Sequence, residues 1–192
     1  MIMTSTFQDF EKNFDGYQVP DALVRLFAFQ QEYNDFSECF WLHAINKDGL
    51  KTYSSEPEFL NGIIEFAQAT GSGSTYGLWL HEGSATDLNE APVVALGDEG
   101  GIHIIAVHLL DLMRLLTYDC EPMIDWEQVY YYKDEDEENT SGDIDTYKKW
   151  LFREFGIAAV KDREETDLLV AKAREQHGER FKSWMSKFYN EA

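Results

Sequence analysis

Apolar and polar positions divide this chain into short, closely joined elements, and the pattern is densest over residues 92–118. An apolar run from Pro92 to Leu96 meets the turn Gly97-Asp98-Glu99-Gly100-Gly101, and a second apolar run extends from Ile102 to Val107. Leu109, Leu112, Met113 and Leu116 then fall at i, i+3, i+4 and i+7, the spacing of a helix face. The segment predicts strand, turn, strand and helix with no linker between them.

Upstream, residues 4–14 predict a short helix capped by Thr4, Ser5 or Thr6, with Phe7, Phe10 and Phe14 on one face. Pro20 and Asp21 suit the first turn of a second helix over 20–32, which turns Leu23, Leu26 and Phe27 inward. Residues 38–45 predict a strand, Asn46 to Gly49 its turn, and 50–53 a return strand that completes a hairpin. Ser54 or Ser55, then Pro57 and Glu58, open a helix with Phe59, Ile63, Phe66 and Ala67 on its inner face, ended by the flexible run 71–74. Residues 76–82 alternate as a strand, and 83–91 form a polar loop.

Beyond Tyr118, the Val and Tyr of 127–132 predict another strand. A helix starts at Asp145 and stops near Gly156; a last one runs over 163–190. Its stripe of Phe181, Trp184, Met185 and Phe188 suits core packing, with a dimer contact as the alternative. Four to six strands in hairpin order, with helices before, between and after, predict an α+β fold: a mostly antiparallel sheet packed with helices and carrying a C-terminal helical extension. The expected organisation is one domain over 1–132, an acidic surface loop over 133–144, and C-terminal helices over 145–192 packed on the same domain.

Charge changes this picture most. The chain of 192 residues has a formal net charge of −20. Residues 1–147 hold 6 Lys/Arg against 28 Asp/Glu, whereas residues 148–192 hold 10 against 8. So acidic a body repels nucleic acid and anionic membranes, and it attracts and steers cationic partners. Solubility alone is the plain alternative explanation. Cys39 and Cys120 have no ligand spacing and read as buried free thiols. No basic n-region or apolar h-region opens the chain, and no apolar run reaches 18 residues, so a cytoplasmic protein is expected.

Chemical motifs are sparse. The glycines of 71–74 lack the Lys-Ser/Thr of a phosphate loop and follow a predicted helix. No cofactor motif and no GxSxG elbow occurs. His81, Glu82, His103 and His108 lie on or beside neighbouring strands, which keeps a metal-dependent enzyme among the alternatives, but they form neither HxH nor HExxH. The acidic run Asp134, Glu135, Asp136, Glu137 and Glu138 does not fit the calcium-loop template. Together with Asp98 and Glu99, those five carboxylates are the candidate contacts for a basic partner.

Several stretches resemble the SUKH superfamily, which includes fungal cell-wall-assembly regulators and bacterial immunity proteins. They are the helix entry Val19-Pro20-Asp21-Ala22-Leu23, the loop and strand Gly71-Ser72-Gly73-Ser74-Thr75-Tyr76, the run Ala91 to Gly100, and the Leu-rich helix from Leu109 to Leu116. The similarity covers residues 7–118 and extends toward 132; where the family places a polar cap before the Leu-rich helix, this chain has His108. The resemblance implies a curved, mostly antiparallel sheet packed with helices, and a non-enzymatic protein that binds and neutralises a cognate toxin, often a nuclease. A regulatory adaptor with no toxin partner is the alternative. A nuclease presents a basic surface to phosphate, which an acidic inhibitor is suited to cover.

Overall fold

Five strands lie side by side in chain order, each antiparallel to the next: β1 (Trp41–Leu42), β2 (Ile63–Gln68), β3 (Thr75–Trp79), β4 (Val93–Leu96) and β5 (Ile102–Ala106). A computed structural model of the protein describes residues 6–81, 87–133 and 140–188. A smaller hairpin, β6 (Pro122–Ile124) and β7 (Val129–Tyr131), stands apart from the main sheet. The helices are α1 (Phe7–Glu11), α2 (Asp21–Glu32), α3 (Pro57–Gly62), α4 (Leu109–Leu115), α5 (Ile144–Phe155) and α6 (Arg163–Met185). The fold is α+β, as the order of elements in the sequence leads one to expect.

Both faces of the sheet are covered, which is why β4 is apolar at every position. Tyr76, Leu78, Val93, Ala95 and Ile105 join one core with residues of α2, α4 and α5. Ile63, Trp79, Val94, Leu96 and Ile104 join a second core beneath α3 and α6. The C-terminal stripe is spent in this second core. Trp184 stacks on Phe59 with ring centroids 5.6 Å apart, and Phe181 meets Trp79 edge-on at 5.0 Å. His108 caps α4 by accepting the Asp111 amide at 3.3 Å.

Several elements differ from the sequence expectation, among them the strand expected over 38–45, which is only Trp41–Leu42. Residues 50–53 are not a return strand: Leu50–Thr52 is a 3-10 turn. Gly49, Lys51 and Thr52 amides bond to carbonyls three residues back, so the groups a ladder needs are used locally. β1 pairs with β2 instead. Its other edge is met by Gln30, whose amide nitrogen donates to the Leu42 carbonyl (2.9 Å) and whose oxygen accepts the Leu42 amide (2.7 Å).

The helix expected through Ala67 ends at Gly62, and 63–68 is β2. A short apolar run fits either period, and here Ile63, Ile64 and Phe66 are buried from both sides of a central strand. At the junction, a side chain on Gly62 would overlap the Trp184 indole. The strand expected over 76–82 also ends earlier, at Trp79, and β6 is an addition. Cys120 is buried, but Cys39 is exposed, in a left-handed turn residue (φ +55°) just before β1.

Candidate functional site

The β4–β5 turn is closed by Gly97 and Gly101, with the Gly97 amide donating to the Gly101 carbonyl at 2.9 Å. Gly100 has φ +116° and Gly101 φ +85°, which L side chains rarely adopt. Side chains at either position would collide with the β6–β7 hairpin: with the Trp126 ring at Gly100, and with the Asp125 carbonyl at Gly101. Their absence lets the tip of that hairpin settle on the turn. His103 Nε2 adds a 2.7 Å contact to the same Asp125 carbonyl. Burial holds the His103 pKa below its ordinary value.

Asp98 and Glu99 are both exposed on this turn. Asp98 is held in place. Its Oδ1 accepts Ser74 Oγ at 2.6 Å and Ser72 Oγ at 3.0 Å, and its amide donates back to Ser74 Oγ at 3.1 Å. The Ser74 bond is the main reason the Asp98 carboxyl titrates below the usual range. Asp125 orders the hairpin tip by accepting the Glu127 and Gln128 amides at 2.7 and 2.8 Å, and those bonds lower its pKa too.

On this rim Trp126 is 69% exposed, the most exposed of the large hydrophobic residues described, and Met123 of β6, in the same hairpin, is exposed as well. Asp98, Glu99, Asp125 and Glu127 lie on the same turn and hairpin tip. An indole on an ordered turn among carboxylates is suited to anchor a cationic protein surface. The sequence reading missed Trp126, although a Trp set between acids in Asp125-Trp126-Glu127 was the available signal.

Asp98 also borders a groove of about 490 Å³ between β2–β4, through Glu65, Gln68, Thr75 and Leu96, and residues 43–53. Tyr53 spans it by donating its hydroxyl to the Gly97 carbonyl. Glu65 of β2 lines the groove, and burial raises its carboxyl pKa above the ordinary value. Glu65 too went unnoticed in the sequence, where one carboxylate inside the run Ile63 to Ala67 was the clue.

Candidate contacts Asp134, Glu135, Asp136, Glu137 and Glu138 lie outside the described residues, as does Glu82 of the histidine group. The histidines of that group take separate roles: His103, on β5, bonds to the hairpin tip, His108 caps α4, and His81 faces Arg180, whose guanidinium lies 3.0 Å from His81 Nδ1. Among the described residues no three His, Cys, Asp or Glu side chains are grouped to hold a metal ion. A larger groove of about 770 Å³ lies between α3 and α6, but its charges are mixed and Glu58 is already paired with Lys187 at 2.7 Å. No described helix is long and apolar enough to cross a membrane. Compared with family models, curated proteins and solved structures, the chain matches none.

Proposed function

We propose that this chain is a non-catalytic, cytoplasmic binding protein of the SUKH-like immunity type, which recognises a basic protein partner and covers its cationic surface. The observation that carries this reading is Trp126, exposed on a turn that glycines and Asp125 hold rigid, with Asp98, Glu99 and Glu127 around it. Interfaces draw most of their energy from a few such aromatic anchors, while surrounding charges select the partner and speed its arrival. A net charge of −20 extends that attraction well beyond the contact. A toxin domain that binds nucleic acid has the complementary charge.

The test is direct association with the product of the neighbouring reading frame, followed by surface plasmon resonance. Between low and high salt the association rate should fall by about tenfold or more. Trp126→Ala should weaken affinity by about thirtyfold, the loss expected of a hot-spot residue, with an unchanged circular dichroism spectrum. An association rate indifferent to salt, together with full affinity in the Trp126 variant, would sink the proposal. A basic partner without toxic activity would make the chain an adaptor using the same surface.

A further inference from the structure

Glu65 is a buried carboxyl that the fold satisfies on one side only. The residue is 9% exposed. Its Oε1 accepts Thr75 Oγ1 at 2.6 Å, whereas Oε2 has no hydrogen-bond partner among the described residues. Among the described residues Glu65 joins no ion pair; Lys47, which lines a small cavity beside it, is bonded to Asp15 at 2.9 Å. A register shift between Glu65 and Ala67 marks a bulge in β2 at this point, a device that re-aims side chains. A carboxylate left this way is costly, and such groups concentrate where something is bound.

The groove in front of it has a consistent chemistry. Its walls carry two carboxylates, Glu65 and Asp98, the Tyr53 ring, and the apolar side chains of Ile45 and Leu96; none of its described lining residues is Lys or Arg. Apolar walls suit an alkyl stem, and the carboxylates and aromatic ring suit a cationic head. A bare metal ion fits poorly, because it needs more oxygen ligands than two separated carboxyls give, and no third ligand joins them among the described residues.

We propose that this groove receives the cationic end of a lysine or arginine side chain supplied by the protein partner, with Glu65 and Asp98 as its counter-charges. This rests on the binding function above, because Asp98 belongs both to the groove and to the turn beneath Trp126, so one basic surface reaches both. The occupant needs Glu65 ionised, and burial holds its pKa above the ordinary value, so binding weakens on acidification. The titratable groups facing Glu65 are His43, Tyr53 and Asp98 in the groove and Lys47 in the small cavity beside it.

The test uses the full chain and small probes, so that it stands apart from partner capture. Nuclear magnetic resonance titrations at low salt would compare N-acetyl-arginine amide and N-acetyl-lysine amide with the neutral N-acetyl-norleucine amide. The cations should shift groove resonances, including the Glu65 carboxyl, and norleucine should not. Glu65→Gln keeps the shape and should weaken binding by about tenfold or more. Gly49→Leu should do the same by filling the groove: Gly49 has a helical φ of −57°, and a side chain there starts 4.0 Å from Glu65 Oε2. Absent shifts, or shifts that persist in Glu65→Gln, overturn the assignment, and the small cavity beside Glu65 then serves only for a buried water. Much tighter binding of free putrescine overturns the protein-borne source. Full partner affinity in Trp126→Ala strikes the docking surface alone and leaves these titrations unchanged.

Discussion

Trp126 lies across Gly100 so closely that a methyl group on that glycine would overlap the indole. The exposed anchor of the hairpin and the left-handed residue of the turn are thereby one unit. Gly100→Ala should destabilise the protein by about 1–3 kcal/mol through backbone strain at φ +116°. Urea denaturation measures that cost. The variant should also lose partner affinity nearly as much as Trp126→Ala does; retained affinity would show that the seat of the indole does not matter.

Glu65 gives a pH-dependent prediction. Its folded pKa is raised by burial, so below its ordinary value of 4.5 the group is protonated in both states and imposes no cost. As pH rises through the folded value the unfolded chain is increasingly favoured. Glu65→Gln should therefore match the wild type near pH 4 and exceed it at pH 7 by roughly 1 kcal/mol, the scale of an unsatisfied buried polar group. Thermal melts at the two pH values decide it. A stabilised variant that no longer binds cations would identify Glu65 as retained for function.

His177 works in the opposite direction. The ring is 7% exposed, both its nitrogens lack partners among the described residues, and His81 lies 5.9 Å away between ring centroids. Burial, then the charges of His81, Arg180 and His108, lower its pKa from 6.5. The unfolded state then binds the proton more readily. Stability is complete above pH 6.5 and is lost as the solution is acidified below it. His177→Gln should flatten the stability profile between pH 5 and 7, with the remaining slope owed in part to His103, whose pKa is lowered too. An unchanged slope would refute the assignment.

Trp184 and Gly62 should be coupled. Trp184→Ala removes a ring stacked on Phe59 and should cost about 3 kcal/mol. Gly62→Ala alone should also destabilise, because its methyl overlaps that ring, but should cost little in the Trp184→Ala background. Additive losses in the double-mutant cycle would contradict the packing.

Local pattern alone determined a good part of this protein. Pro20 and Asp21 opened α2, and the two apolar runs around Gly97 to Gly101 made β4 and β5, because turn chemistry and a regular period are local properties. The acidity that favours a basic partner is likewise present in the sequence itself. Residues 63–68 were decided only in three dimensions: their apolar spacing suits a helix, and burial on both faces of a central strand outweighed it. The site divides in the same way. Asp98 and Glu99 were legible as carboxylates on a turn. Trp126 above that turn, and Glu65 in the groove that Asp98 borders, are 27 or more residues from those two carboxylates in the chain, and only tertiary packing brings such distant positions to one surface.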